Sequence, residues 1–118
     1  MLFVICASSG AGKTTIIREL FKKFPEITFS VSATTRKKRP KETDGKDYHF
    51  ISQEEFNKRK ANNEFIETEE VHGNNYGTLK SETEPFLKSN DIMILDVDVK
   101  GALNIKSMYP EAITVFID

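Results

Sequence analysis

A glycine-bearing loop between an apolar run and an amphipathic segment constrains this chain more than any other feature of its sequence. The apolar run covers residues 2–6 and predicts a buried strand. The apolar residues after the loop have the spacing of one helix face: Ile16, Ile17, Leu20 and Phe21. A strand, a glycine-bearing loop and a helix that opens on Lys13 and Thr14 form the setting of a phosphate-binding P-loop.

The residue types in this loop suit the phosphates of a nucleotide. Glycines let backbone N–H groups approach phosphate oxygens closely, and the helix N-terminus adds partial positive charge aimed at the same anion. We expect Lys13 to reach the β- and γ-phosphates and the Thr14 hydroxyl to ligate Mg²⁺. Ala7 stands where the standard pattern has Gly, and the alternative interpretation is an ordinary strand–turn–helix.

Size, charge and cysteine content narrow the class of protein. The chain has 118 residues, which is the size of one domain. Its net charge of −1 gives no global basic field, so we expect no nucleic-acid partner. We expect no signal peptide and no membrane partner, because the apolar runs are too short to span a bilayer. A single cysteine, Cys6, excludes an intrachain disulfide and favours a cytoplasmic setting.

Strands that alternate with helices predict an α/β fold with a parallel sheet. Further strands are expected at residues 27–32, 92–96 and 113–117, and further helices at residues 83–89 and 102–108. The strand at 92–96 ends in Asp96, as does the Walker B strand, whose acid orders Mg²⁺ beside a P-loop. Residues 1–33 and 80–118 are therefore predicted to form a P-loop core.

Residues 34–79 are predicted to form an insert of short strands with one helix. The expected strands are residues 48–51, 65–71 and 75–79. Ser52 and Glu55 have the spacing of a capping box and predict a helix at residues 53–61.

The insert begins with a basic loop, residues 36–41, in which five of the six residues are cationic. These cations repel each other unless an anion lies among them, and a nearby P-loop favours a second phosphate site. The alternative is a solvated basic loop. His49 is expected to pack or to face solvent rather than to act as an acid or base, and His72 to be a polar turn residue.

Residues 30–40, with the sequence Ser-Val-Ser-Ala-Thr-Thr-Arg-Lys-Lys-Arg-Pro, resemble the nucleotide-monophosphate-binding signature of guanylate kinases. Other residues continue the match in order: Glu42, Gly45, Tyr48, Phe50, Phe65, Ile66, Glu67, Tyr76, Gly77, Thr78, Leu95, Asp96, Val97, Asp98, Gly101 and Ala102. The resemblance implies a P-loop NTPase-type parallel sheet with helices on both faces and a small mixed α+β subdomain that binds a nucleoside monophosphate. It also implies transfer of the ATP γ-phosphate to GMP with Mg²⁺, in purine nucleotide metabolism, by a monomer or a homodimer.

The resemblance implies a role for each matching residue. The ATP-binding residues it implies are Ser8, Ser9, Gly10, Ala11, Gly12, Lys13, Thr14 and Thr15. The GMP-binding residues are Ser32, Arg36, Arg39, Tyr48, Glu67, Tyr76, Thr78 and Asp98. Catalysis is assigned to Lys13, Arg36 and Arg39, and the metal to Thr14 and Asp96. Glu67 is expected to accept hydrogen bonds from the guanine ring N–H and amino group, which adenine does not offer as a pair.

The chain departs from the family pattern at Ala7, Lys41 and Lys100, and it stops at Asp118. Guanylate kinases continue there into a lid and further core segments, so we expect a C-terminally truncated chain with weakened or absent activity. One alternative is a guanylate-kinase-like domain that binds peptides rather than catalysing. Another is a P-loop kinase of a different small molecule.

Overall fold

The computed structural model describes residues 1–7 and 13–117, and the chain divides into two compact units. Unit 1 comprises Met1–Ser30 and Pro85–Asp118, and unit 2 comprises Val31–Glu84. Among the described residues, no helix is both long and apolar enough to cross a membrane.

Eight strands and four α-helices are described, here numbered in chain order. The strands are β1 (Leu2–Ala7), β2 (Thr28–Phe29), β3 (Ala33–Thr34), β4 (His49–Phe50), β5 (Phe65–Val71), β6 (Asn74–Leu79), β7 (Met93–Asp96) and β8 (Ile113–Ile117). The helices are α1 (Lys13–Lys23), α2 (Gln53–Ala61), α3 (Lys80–Thr83) and α4 (Val99–Met108), and a 3-10 turn covers Glu84–Phe86.

Unit 1 contains a four-stranded sheet in the order β2-β7-β1-β8, with every pairing parallel. Ile5, Ile27 and Ile94 form a buried cluster on one face, against which Ile17 and Leu20 of α1 pack. Val4 and Leu95, which alternate with Ile5 and Ile94 and so face the opposite side, are apolar and buried as well. Helix α4 contacts β1 and β8. Burial of both faces explains why the strands are continuous apolar runs, and the predicted α/β parallel sheet is confirmed.

Unit 2 contains a mixed four-stranded sheet in the order β4-β3-β6-β5. Only β3 and β4 pair in parallel, and the other pairings are antiparallel. The core of this unit consists of Ala33, Phe56, Phe65 and Leu79. Helix α2 begins as predicted, since the Ser52 hydroxyl accepts a hydrogen bond from the Glu55 backbone N–H at 3.0 Å.

Two glycines shape the hairpin between β5 and β6, one by its backbone conformation and the other by its lack of a side chain. At the turn, His72 and Gly73 have φ of 52° and 80°, the successive positive values that a tight two-residue hairpin turn needs. Gly77 leaves room for the Phe65 ring, because a Cβ there would lie 2.6 Å from Phe65 Cδ1. The expectation that His72 is a turn residue is confirmed.

Two of the predicted elements were wrong. Residues 27–32 do not form one strand, since only Thr28–Phe29 (β2) is extended in the sheet of unit 1, and β3, in the sheet of unit 2, begins at Ala33. The helix predicted at residues 83–89 also does not form. Helix α3 ends at Thr83 and a 3-10 turn follows. Pro85 has no N–H to continue the α-helical hydrogen-bond pattern.

Substitution of Phe56 tests the core of unit 2. The Phe56 ring is 1% exposed and stacks on Phe65 with ring centroids 4.7 Å apart. Phe56→Ala should lower the free energy of unfolding by about 3–5 kcal/mol, because it leaves a cavity in a packed cluster. Urea unfolding followed by circular dichroism measures this loss.

The matched control is Phe116→Ala in β8, since the Phe116 side chain is 57% exposed. We expect this change to stay within about 0.5 kcal/mol of the parent chain. Equal losses for the two variants would contradict the assignment of Phe56 to the core.

Candidate nucleotide site

Strand β1 leads into the predicted P-loop, and α1 begins at Lys13 immediately after it. The predicted phosphate-binding residues 8–12 lie outside the described residues, as do the side chains of Lys13 and Thr14. Thr15 lies in the first turn of α1 and is exposed. A strand that ends at Ala7 and a helix that begins at Lys13 agree with the P-loop interpretation, and the roles of residues 8–15 stay predictions.

The two aspartates after β7 have different surroundings. Asp96 ends β7 and pairs in register with Ile5 of β1. It therefore lies at the sheet edge where β1 runs into the predicted P-loop, and its carboxylate is a ligand type that suits Mg²⁺. Asp98 caps α4, since its Oδ1 accepts a hydrogen bond from the Gly101 N–H at 2.7 Å. Asp98 is predicted to bind guanine, and one of its two carboxylate oxygens is thus already engaged as the N-cap of α4.

In unit 2 the predicted phosphate ligands Arg36, Tyr48 and Tyr76 lie together. The Arg36 Cζ atom is 5.2 Å from the Tyr48 ring centroid and 5.8 Å from that of Phe50. The Tyr48 and Tyr76 centroids are 5.9 Å apart. These four residues are called the arginine cluster below. It presents a guanidinium and two phenolic hydroxyls, which are groups that bind phosphate oxygens.

Glu42 forms a two-bond ion pair with the arginine cluster. Arg36 Nη1 donates to Glu42 Oε1 at 3.0 Å, and Nη2 donates to Oε2 at 2.7 Å. The Arg39 backbone N–H donates to the same Oε1 at 2.8 Å. The bond from Arg36, followed by that from the Arg39 N–H, lowers the pKa of Glu42 from 4.5 to about 2.

The same pair acts on Arg36. Its pKa is raised above the ordinary value, mainly by the hydrogen bond to Glu42, against the opposing effect of burial. A smaller contribution comes from the Tyr76 hydroxyl. Arg39, the second predicted phosphate-binding arginine, is exposed, and its backbone rather than its side chain contacts Glu42.

The predicted guanine-reading residues Glu67 and Thr78 contact each other across the β5–β6 hairpin. The Thr78 hydroxyl donates to Glu67 Oε1 at 2.8 Å, and Thr78 is 1% exposed. A β-bulge produces this pairing, because Phe65 pairs with Leu79 and Glu67 with Thr78. Ile66 is the extra residue, and in regular antiparallel pairing Thr78 would face Ile66 rather than Glu67. Ser32, also predicted to bind GMP, is half-buried just before β3.

Each unit contains a cavity, and the one in unit 2 borders the arginine cluster at Phe50. A cavity of about 370 Å³ in unit 2 includes His49, whose Nε2 lies 2.7 Å from Glu82 Oε1. His49 therefore pairs with a carboxylate rather than facing solvent alone. A cavity of about 430 Å³ in unit 1 lies between α1 and the sheet. Its lining is entirely apolar, so it offers no group for phosphate chemistry: Phe3, Ile5, Ile16, Leu20, Phe24, Ile27, Ile92, Ile94 and Val115.

Comparison with known proteins identifies the family. The sequence model of the guanylate kinase family matches residues 1–118. The chain belongs to the guanylate kinase family. The guanylate kinase of Thermotoga maritima is 51% identical over 116 residues, which are 98% of this chain and 56% of that protein. The guanylate kinase of Carboxydothermus hydrogenoformans is 47% identical over 117 residues, 99% of this chain and 57% of the relative.

A solved guanylate kinase has the same fold. The crystal structure of guanylate kinase from Anaplasma phagocytophilum superposes with a TM-score of 0.79 at 32% identity. The match covers 98% of this chain and 58% of that one. The chain thus spans a little over half the length of the guanylate kinases that it matches.

Sequence reasoning missed one member of this site. From the sequence, Glu42 was one of the residues that match the guanylate kinase pattern, and no role was predicted for it. Its spacing six residues after Arg36, at the end of a strongly basic loop, was the available signal. The bulge at Ile66 left no comparable mark, because both Phe65 and Ile66 are apolar residues of ordinary strand type.

The Glu42 ion pair makes stability depend on pH. Because the folded-state pKa lies below the unfolded value, the stabilisation is fully present above pH 4.5 and is lost as the pH falls towards 2. Glu42→Gln should remove this part of the acid dependence. Urea unfolding at a series of pH values measures it, and an equally steep acid loss in parent and variant would contradict the pairing.

Proposed function

We propose that this chain carries the GMP-binding and P-loop parts of an ATP:GMP phosphotransferase. One observation supports this most directly. Tyr76 and Thr78 are two residues apart on β6, so their side chains lie on one face of the sheet. Tyr76 belongs to the arginine cluster and Thr78 bonds to Glu67. A phosphate-binding group and a base-reading pair thus share one face about 7 Å apart, as a nucleoside monophosphate requires.

The base assignment rests on hydrogen-bond chemistry. A carboxylate only accepts hydrogen bonds, and guanine offers a ring N–H and an amino group side by side. Thr78 holds one oxygen of Glu67 and so orients the carboxylate. AMP offers no such pair of donors and would leave buried polar groups unpaired, which is the basis of strong discrimination. In this proposal Ser32 and Asp98 complete the guanine pocket.

The ATP half of the proposal rests on the P-loop pattern. Backbone N–H groups of residues 8–12 and the Lys13 ammonium are assigned to the triphosphate. Thr14 and Asp96 are assigned to Mg²⁺, which neutralises phosphate charge when bound. The position of Asp96 at the end of β7, next to β1 in register, supports this assignment. Thr15 completes the predicted set at the start of α1.

In the proposed reaction an oxygen of the GMP phosphate attacks the γ-phosphorus of ATP, and ADP leaves. The protein positions two anions and neutralises their charge, which is most of what phosphoryl transfer asks of an enzyme. Arg36 and Arg39 hold the GMP phosphate, and Lys13 stabilises the transferring group. We assign unit 2, which extends the predicted range of residues 34–79 to Val31–Glu84, to GMP binding, and unit 1 to the P-loop core.

The setting of the protein belongs to the same proposal. ATP and GMP are cytoplasmic nucleotides, so we place the protein in the cytoplasm, with these small molecules as its substrates. Because the chain spans little more than half of its relatives, nucleotide binding is a more direct test than turnover.

A second candidate is a guanylate-kinase-like domain that binds peptides. Lys13, Thr14, Arg36, Arg39 and Glu67 are all present, and a peptide-binding domain has no need of them. Calorimetric titration with GMP separates the two functions. Measurable heat with GMP supports the kinase assignment, and none would favour the peptide-binding alternative.

Replacement of Glu67 tests the base assignment. Glu67→Gln should weaken GMP binding roughly 100-fold, the effect of about two lost charge-assisted hydrogen bonds. AMP binding should change little, because adenine lacks the matching donors. Calorimetric titration with each nucleotide gives the ratio of affinities.

The control for this test is Glu70→Gln on the same strand, where the side chain is exposed. It should leave the ratio of GMP to AMP affinity as in the parent chain. If Glu67→Gln also leaves that ratio unchanged, the base assignment is wrong.

A further inference from the structure

The hydrogen bonds of Arg36 leave one edge of its guanidinium available. The outer N–H groups of Nη1 and Nη2 point at Glu42, and Nη1 also donates to the Lys37 carbonyl at 3.0 Å. Within the described part of the chain, no carboxylate or carbonyl oxygen accepts a hydrogen bond from Nε, and the Tyr76 hydroxyl bonds to the guanidinium. The edge formed by Nε and Nη2 is the second of the two that can bind an oxyanion through parallel N–H groups.

We propose that Glu42 is a positioning residue, which orients Arg36 so that its Nε–Nη2 edge meets the GMP phosphate. This inference rests on the proposed function, since it takes the phosphate-binding role of Arg36 from there. The Tyr76 hydroxyl, a second proposed phosphate ligand, lies close enough to Arg36 to raise its pKa. The available edge and this hydroxyl thus belong to one binding surface.

Two kinds of contact fix the guanidinium. The Tyr48 and Phe50 rings, at 5.2 and 5.8 Å from Cζ, restrict the plane by cation–π contact. Contact with the rings does not by itself set the direction of the N–H groups within that plane. The two parallel bonds to Glu42 fix that rotation, because both carboxylate oxygens must be met at once.

Glu42 also shapes the loop that carries the second arginine. Its Oε1 accepts the Arg39 N–H, and its carbonyl accepts a bond from Lys38 Nζ at 3.1 Å. The carboxylate therefore links the side chain of Arg36, at the start of the basic loop, to the backbone at Arg39. Residues 36–42 hold five cations and this single acid, so the segment keeps a net charge of +4 for an anion.

If Glu42 acts through Arg36, its replacement should weaken the binding of the GMP phosphate and leave the binding of the guanine base unchanged. The test is the affinity for GMP relative to guanosine, which carries the same base without phosphate. Glu42→Gln keeps the size of the side chain but has only one acceptor oxygen, so it cannot accept the two parallel bonds from Nη1 and Nη2 of Arg36. It should weaken GMP binding at least roughly tenfold, the lower range for partners that orient a binding group. Guanosine affinity, measured by NMR titration, should stay within about twofold of the parent value. That is roughly the uncertainty expected when a substitution does not touch the binding contacts.

Two further variants make the result decisive. Glu55→Gln is the control: it removes the carboxylate that forms a surface ion pair with Arg59 on α2, in which Arg59 Nε lies 2.9 Å from Glu55 Oε1. It should change neither the GMP affinity nor the guanosine affinity. Arg36→Ala should lower GMP affinity at least as much as Glu42→Gln. A loss for Arg36→Ala with none for Glu42→Gln overturns the positioning role and leaves the proposed function standing.

The other outcomes are also distinct. Equal losses of GMP and guanosine affinity in Glu42→Gln would show a general structural role and overturn the proposal. If Arg36→Ala itself leaves GMP affinity unchanged, the phosphate assignment fails, and the role of Glu42 fails with it. Loss of GMP affinity alone, in both variants, supports the proposal.

Discussion

The antiparallel pairing of β5 with β6 is the constraint on which the candidate site of unit 2 depends. Through this pairing Thr78 meets Glu67, and the same strand carries Tyr76 into the arginine cluster. Gly77, between them, faces the other way and accommodates the Phe65 ring. One strand thus holds polar side chains on one face and packs closely on the other, so core and site are built by the same backbone.

Electrostatics in this unit are organised around a single acid. A loop with five cations would be expected to repel itself, and Glu42 offsets part of that repulsion. The carboxylate is 18% exposed and the Arg36 side chain 14%, so water screens their interaction only in part. The loop therefore has a defined conformation and still keeps excess positive charge.

Much of this organisation could be predicted from the sequence, for physical reasons that differ between elements. Helix α2 was predictable from the Ser52 capping signal, and β5 from its β-branched and aromatic residues. The early end of the strand predicted at residues 27–32, and the start of a second sheet at Ala33, were not predictable, because a strand pattern does not reveal which neighbour it pairs with. The helix predicted at residues 83–89 was wrong for a reason that the sequence did contain, since the missing N–H of Pro85 is visible there.

The bulge at Ile66 has a consequence for how this hairpin can vary among related proteins. Side chains in a strand alternate between faces, so gain or loss of one residue between Phe65 and Thr68 would exchange those faces. The carboxylate would then point away from Thr78 even though every residue type was retained. A change of length in this part of the strand would therefore displace the carboxylate, whereas a replacement that keeps the length would leave the direction of residue 67 unchanged.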